Sequence, residues 1–231
     1  MDKQKILLIG CSWTAGTDAD RPAPAEYLDT DRYKIYNAGA AGSPIHLQNL
    51  ILEELLTSIK PDHVFFQLTN RSRYGCQITN TPLKDVLELA WREEKPNYFN
   101  FRLEAVIKKH FHYVTISNYE DPNKNKTARQ QAFNQHFENI VTTDLFLSQF
   151  YEALTYAKRL LKNVSHTFIS SNLKSEWEPI SKYESLLDEK IYVPDKCIPN
   201  YESYIVDEGR HLNPAGAKLY CKKIYNPNLN F

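Results

Sequence analysis

Ser12 follows an apolar run that breaks at a glycine, in Lys5-Ile-Leu-Leu-Ile-Gly-Cys-Ser-Trp-Thr-Ala-Gly16. A serine hydroxyl is a weak nucleophile until a neighbouring imidazole takes its proton, and that imidazole needs a carboxylate to hold the right tautomer. His211 is the candidate base. Glu208 and Asp207, three and four residues before it, are the candidate orienting acids. A tetrahedral intermediate also needs preorganised donors for its oxyanion. The backbone N–H of Ser12, the N–H of Gly42 and the side-chain amide of Asn70 are the candidates.

The chain has only 7 glycines, and six of them flank these positions. Gly10 and Gly16 bracket Ser12, Gly39 and Gly42 lie in Asn37-Ala-Gly-Ala-Ala-Gly42, and Gly209 and Gly216 bracket His211. Glycine permits turns and close backbone approaches that other residues resist, so this clustering is informative without any alignment.

The elements that must position these residues read as alternating strands and helices. Ile6 to Ile9 is a short continuous apolar run, which suits a fully buried central strand. Tyr33 to Tyr36 reads as a second strand. Ser43-Pro44 reads as an N-cap with proline at the first helical position, opening a helix over Ile45 to Ile59. His63 to Leu68 reads as a third strand. Strand, helix, strand in that order predicts a right-handed crossover and parallel pairing. The loops after the strands then gather on one edge, where open α/β sheets bind ligands.

The segment 71–140 reads as a helical insertion or lid over the site, with a helical stretch from Leu83 to Glu94. A helix from Thr143 to about Lys162, a strand from His166 to Ser170, a helix from Ser175 to Leu187 and a short run from Lys190 to Val193 follow. Asn213-Pro214 opens the last helix by cap-and-proline logic. The expected fold is a single domain over 1–231, a three-layer α/β/α flavodoxin-like architecture around a mostly parallel sheet.

Composition narrows the function classes. Lys+Arg and Asp+Glu both number 28 in 231 residues, so no global basic excess points to nucleic acid. The 4 cysteines are scattered without a CxxC pair, and no segment reads as a leader or membrane span. A cytoplasmic protein is expected. Gly10 to Gly16 lacks both GxGxxG and a P-loop lysine, which argues against a nucleotide cofactor. His110 and His112 lack an accompanying carboxylate or cysteine set, so no metal site is expected.

Four ordered blocks resemble those of the SGNH (GDSL-type) hydrolases. Gly10-Cys-Ser12 resembles the first block, with serine as nucleophile. Asn37 to Gly42 resembles the second, whose last glycine donates to the oxyanion. Gln67-Leu-Thr-Asn70 resembles the third, with asparagine as another donor, and Glu208-Gly-Arg-His211 resembles the last. The sequence departs from the family pattern at Cys11, where aspartate is common, at Leu68 for glycine and at Arg71 for aspartate. The family spacing favours Glu208 as acid, while Asp207 has the expected side chain one residue away.

The resemblance implies a serine esterase, free of cofactor, acting through an acyl-enzyme on an O-acyl ester, acetyl included, of a small molecule or carbohydrate. The alternatives are an O-acyltransferase using the same site and a catalytically silent SGNH-like binding domain. The sequence leaves the oligomeric state open, and no nucleic-acid or membrane partner is expected.

Overall fold

The computed structural model describes residues 2–69, 73–77, 80–88, 90–101, 109–115, 143–170, 180–206 and 211–229. Its strands are β1 (Gln4–Gly10), β2 (Tyr33–Gly39), β3 (His63–Leu68), β4 (Arg73–Gln77), β5 (Trp91–Lys95), β6 (Tyr98–Phe101), β7 (Phe111–Thr115), β8 (Ser165–Ser170), β9 (Ile191–Tyr192), β10 (Ile205–Val206) and β11 (His211–Leu212). Its helices are α1 (Ser12–Ala15), α2 (Ile45–Ile59), α3 (Leu83–Glu88), α4 (Thr143–Leu161), α5 (Ile180–Leu187), α6 (Pro194–Cys197) and α7 (Pro214–Tyr220).

Seven strands form the central sheet in the order β5-β6-β2-β1-β3-β8-β9. All neighbouring pairs are parallel except β5 with β6. The run β2-β1-β3-β8-β9 is the flavodoxin-like order, in which the chain reverses direction across the sheet between β1 and β3. That reversal opens a crevice beyond the carboxyl end of β1, where Ser12 follows Gly10 within two residues.

β1 is buried on both faces, as its unbroken apolar run requires. Leu7 and Ile9 pack into one core with Ile51, Leu52 and Leu55 of α2 and Leu154, Ala157 and Leu161 of α4. Ile6 and Leu8 pack into the other with Ile35, Phe65, Leu212, Ala217 and Ile224. All four residues from Ile6 to Ile9 are fully buried. Each such side chain contributes about 1.5–3 kcal/mol relative to exposure. The three layers expected from the sequence are therefore present.

Local chemistry explains several boundaries. α2 stops at Lys60, whose φ of 53° is left-handed, before Pro61. α7 starts with Asn213 as cap and Pro214 in the first turn, as expected. Ser43 departs from the expected cap: α2 begins after Pro44 without a side-chain cap bond. The Ser43 hydroxyl is instead buried, donating to the Gly10 carbonyl at 3.3 Å and accepting from Gln48 Nε2 at 3.1 Å. The hydroxyl proton satisfies a buried strand-end carbonyl, and the oxygen lone pair that a helix cap would use is taken by the Gln48 amide.

The insertion expected over 71–140 is also different where it is described. The helix expected over 83–94 ends at Glu88, and Trp91–Lys95 is an edge strand. With β6 it widens the central sheet beside β2, so part of this segment belongs to the sheet rather than to a helical lid. The hairpin turns at Pro96-Asn97, with Asn97 at a left-handed φ of 62°. The Asn97 carbonyl accepts from Ile35 N–H at 2.7 Å, pinning the turn against β2.

His63 at the far end of β3 makes the fold sensitive to acid. It is 2% exposed, with Nδ1 2.8 Å from Ser165 Oγ and Nε2 3.1 Å from Thr167 Oγ1. Burial first, and the nearby His166 second, lower its pKa to about 4. An unfolded histidine titrates near 6.5, so the unfolded chain binds the extra proton first as pH falls. Stability from this group is complete above about pH 6.5 and is lost as pH falls through the folded value, by at most roughly 3 kcal/mol. Chemical denaturation between pH 7 and 4 should show this loss, and His63→Gln should flatten it.

Candidate active site

Ser12 is presented by a single helical turn. Cys11 precedes it in extended conformation, and the Cys11 carbonyl accepts from Thr14 and Ala15 N–H at 3.0 and 2.9 Å. Ser12 is the first residue of α1, so its own N–H is among those that lack an intrahelical acceptor. The turn ends at Gly16, whose φ of 68° favours glycine.

The turn is seated on the ends of three strands. Gly10 pairs with Gly39, and Ile9 pairs with Phe66, so the loops after β1, β2 and β3 leave the sheet at nearly the same height. A Cβ at Gly39 would collide with Ala15 N and lie 2.7 Å from Ala15 Cα. Asn37, fully buried, donates from Nδ2 to the Thr14 carbonyl at 2.8 Å, and its Oδ1 accepts from Gly39 N–H at 3.1 Å. From β3, Gln67 Oε1 accepts from Thr14 Oγ1 at 2.6 Å and faces Cys11 Sγ at 3.6 Å. Cys11 is 1% exposed, so the position where the resembling family often has aspartate is here a small buried thiol against an amide oxygen.

Gly42 lies in the turn after β2. Ser43 N–H donates to the Ala40 carbonyl at 3.0 Å, and Gly42 takes a φ of 77° at the third position, where a type II turn calls for glycine. Ala40 N–H donates to the Gly10 carbonyl at 2.9 Å, tying this turn to the strand end beneath Ser12. Asn70 follows Thr69, but Asn70 itself lies outside the described residues.

His211 arrives from the other end of the chain. It opens β11, which pairs antiparallel with β10 in the register Val206 to His211. Asn213 locks the exit: its N–H donates to the Tyr204 carbonyl at 2.8 Å, and its Oδ1 accepts from Gly216 N–H at 2.8 Å. Both His211 ring nitrogens are shielded from solvent. Asp207 and Glu208 lie outside the described residues.

Ser12 and His211 line one small cleft, together with Trp13, Arg21, Pro22, Pro24 and Leu212. Two residues distant by nearly the whole chain thus line the same cleft. Trp13 stacks on Tyr201, with ring centroids 6.1 Å apart and planes at 22°, which docks α1 against the turn before β10. The walls contributed by Trp13, Arg21, Pro22 and Pro24 were not foreseen. The available signal was the proline pair bracketing the return of the loop after Gly16.

No cluster of three or more His, Cys, Asp or Glu able to hold a metal occurs among the described residues. Among them no helix is long and apolar enough to cross a membrane. Because Asn213 caps α7 directly behind His211, Asn213→Ala should cost about 1 kcal/mol, which a thermal melt should show as a fall in Tm of roughly 2–4 °C.

No protein-family model matches the sequence, and no curated protein matches it either. Solved structures do. TesA is 12% identical over 98% of both chains, with a TM-score of 0.52. A Clostridium thermocellum family 3 carbohydrate esterase is 12% identical over 98% of both chains, at 0.47. The acetyl xylan esterase AlAXEase is 16% identical over 96% of this chain and 98% of its own, at 0.48. With its 2-1-3 strand order, Ser12 at the switch point and the TesA match over nearly the whole length, the chain has a flavodoxin-like α/β fold that it shares with TesA.

Proposed function

We propose that this protein is a serine esterase that hydrolyses an O-acyl ester of a small molecule or carbohydrate. One observation carries the reading: Ser12, at the carboxyl end of β1, and His211, at the start of β11, line the same cleft. The shared fold adds the expectation that this edge of the sheet does the chemistry.

In the proposed reaction Ser12 Oγ attacks the ester carbonyl carbon while His211 takes the hydroxyl proton. The carbonyl oxygen becomes an oxyanion, held by the N–H groups of Ser12 and Gly42 and by the Asn70 amide. The C–O bond to the alcohol then breaks, and the imidazolium returns its proton to the leaving alkoxide. A water molecule repeats the sequence on the acyl-enzyme, with His211 again acting as base, and releases the carboxylic acid. Glu208, three residues before His211, is the proposed orienting acid, in preference to Asp207. Trp13, Pro22 and Pro24 crowd the cleft, which supports a short acyl group such as acetyl. The scattered cysteines support a cytoplasmic setting.

Labelling with a fluorophosphonate, read by intact mass, tests the nucleophile directly. The wild type should gain one adduct and Ser12→Ala none, with 4-nitrophenyl acetate turnover falling roughly 10⁴- to 10⁶-fold. Unchanged hydrolysis by Ser12→Ala would overturn the assignment. Asn70→Ala should lower kcat about 10²- to 10³-fold with little change in KM, since an oxyanion donor acts in the transition state. Steady-state kinetics on a short-chain ester separates the two constants.

A further inference from the structure

Gln67 stands on β3, and because Ile9 pairs with Phe66 it comes level with Gly10 at the end of β1. Its side chain crosses over that glycine. A Cβ at Gly10 would stand 2.8 Å from both Gln67 Cβ and Gln67 Oε1, so the carboxamide uses space that a side chain there would fill. On the far side, Oε1 accepts from Thr14 Oγ1 at 2.6 Å and lies 3.6 Å from Cys11 Sγ, a weaker donor. One oxygen therefore engages both flanks of Ser12: the residue before it and the residue two after it.

Cys11, Thr14 and Gln67 are 1%, 2% and 3% exposed, so water does not compete for these contacts. α1 has only the four residues Ser12–Ala15, and a single turn has little stability of its own. Its placement comes from its ties to the sheet. From β2, Asn37 Nδ2 holds the Thr14 carbonyl at 2.8 Å, and from β3, Gln67 holds the Thr14 hydroxyl. Two ties from different strands to one residue fix the rotation of the turn as well as its height. The Gln67 tie has a side chain at each end, so it can be removed without altering the backbone.

We propose that Gln67 is a positioning residue for Ser12, acting through Thr14 to hold the turn in the orientation from which the Ser12 hydroxyl attacks. The proposal rests on the esterase reading for its effect on turnover, whereas the anchoring of α1 is independent of it. A misplacement of about 1 Å at a reacting group can cost on the order of 10²-fold in rate, so a small rotation of α1 is enough to matter.

The experiment compares Thr14→Val, Gln67→Met, the double variant and Thr14→Ser by steady-state kinetics on 4-nitrophenyl acetate, thermal melts and hydrogen exchange over residues 11–16. Each of the first two should lower kcat about 10- to 100-fold with KM within about twofold. Each should also lower Tm, because one polar partner stays buried and loses its bond. The double variant makes both ends apolar and should recover Tm, since neither group is then left unpaired. Its kcat should stay as low as in the single variants, and residues 11–16 should exchange faster than in the wild type. Thr14→Ser keeps the hydroxyl and should keep most of kcat. A kcat that follows Tm and returns in the double variant would mean a purely structural contact and overturn the proposal. So would unchanged kcat in both single variants, or a Thr14→Ser as slow as Thr14→Val. Fluorophosphonate labelling keeps the two readings apart. A wild type that gains no adduct, with faster exchange over 11–16 in the double variant, defeats the esterase and leaves Gln67 as the anchor of α1. A labelled wild type whose variants are labelled equally fast defeats the positioning role and leaves the esterase.

Discussion

The close seat of α1 on the sheet edge is the constraint on which the rest of the structure depends. One helical turn must lie against the ends of β1, β2 and β3, and there is no room for a side chain beneath it. Gly10 and Gly39 answer that steric demand from neighbouring strands in the same register. A Cβ at Gly10 would lie 2.8 Å from the Gln67 side chain and collide with Thr14 Oγ1, so even alanine would push the turn off its seat. Overpacking of this kind typically costs 1–3 kcal/mol. Here it would also displace Ser12.

Polar groups buried by that close approach are then used to hold it. Asn37 donates to the Thr14 carbonyl from β2, Gln67 accepts from the Thr14 hydroxyl from β3, and Ser43 reaches the Gly10 carbonyl from the second loop. All three side chains are 3% exposed or less. In such a setting an unmade hydrogen bond is more costly than a made one is favourable, so the network specifies one arrangement of the loops. Asn37 also donates to the Tyr98 hydroxyl at 3.1 Å, linking β6 into the same frame. Burial raises the Tyr98 phenol pKa far above its usual range, which keeps it a neutral partner.

What was legible in the sequence followed from strong local signals. The continuous run Ile6 to Ile9, the three- and four-residue spacing of α2, and Asn213-Pro214 each specify structure within a few residues, and each is present. The edge strand Trp91–Lys95 was hidden because its residues are mostly polar and exposed, leaving no alternation to read, although Pro96-Asn97 marked the turn. Ser43 was misassigned because a serine before proline looks the same whether its partner is a helix N–H or a distant strand carbonyl. Ser12 and His211 line one cleft, while Arg21 and Trp13 join its wall with only the proline pair after Gly16 to mark the returning loop.

The cleft exists because the two ends of the chain close on each other. Trp13, next to Ser12, stacks on Tyr201, and Tyr201 begins the turn that leads through β10 and β11 to His211. Gly216 lets α7 approach that turn, since a Cβ there would stand 2.5 Å from Tyr204 Cβ and 3.0 Å from Leu212 Cδ2. The hydrophobic surface that places His211 is therefore the same core, built on Ile6 and Leu8, that buries the strand bearing Ser12. Ser12 and His211 are coupled through folding itself: neither segment can loosen from that core without separating them.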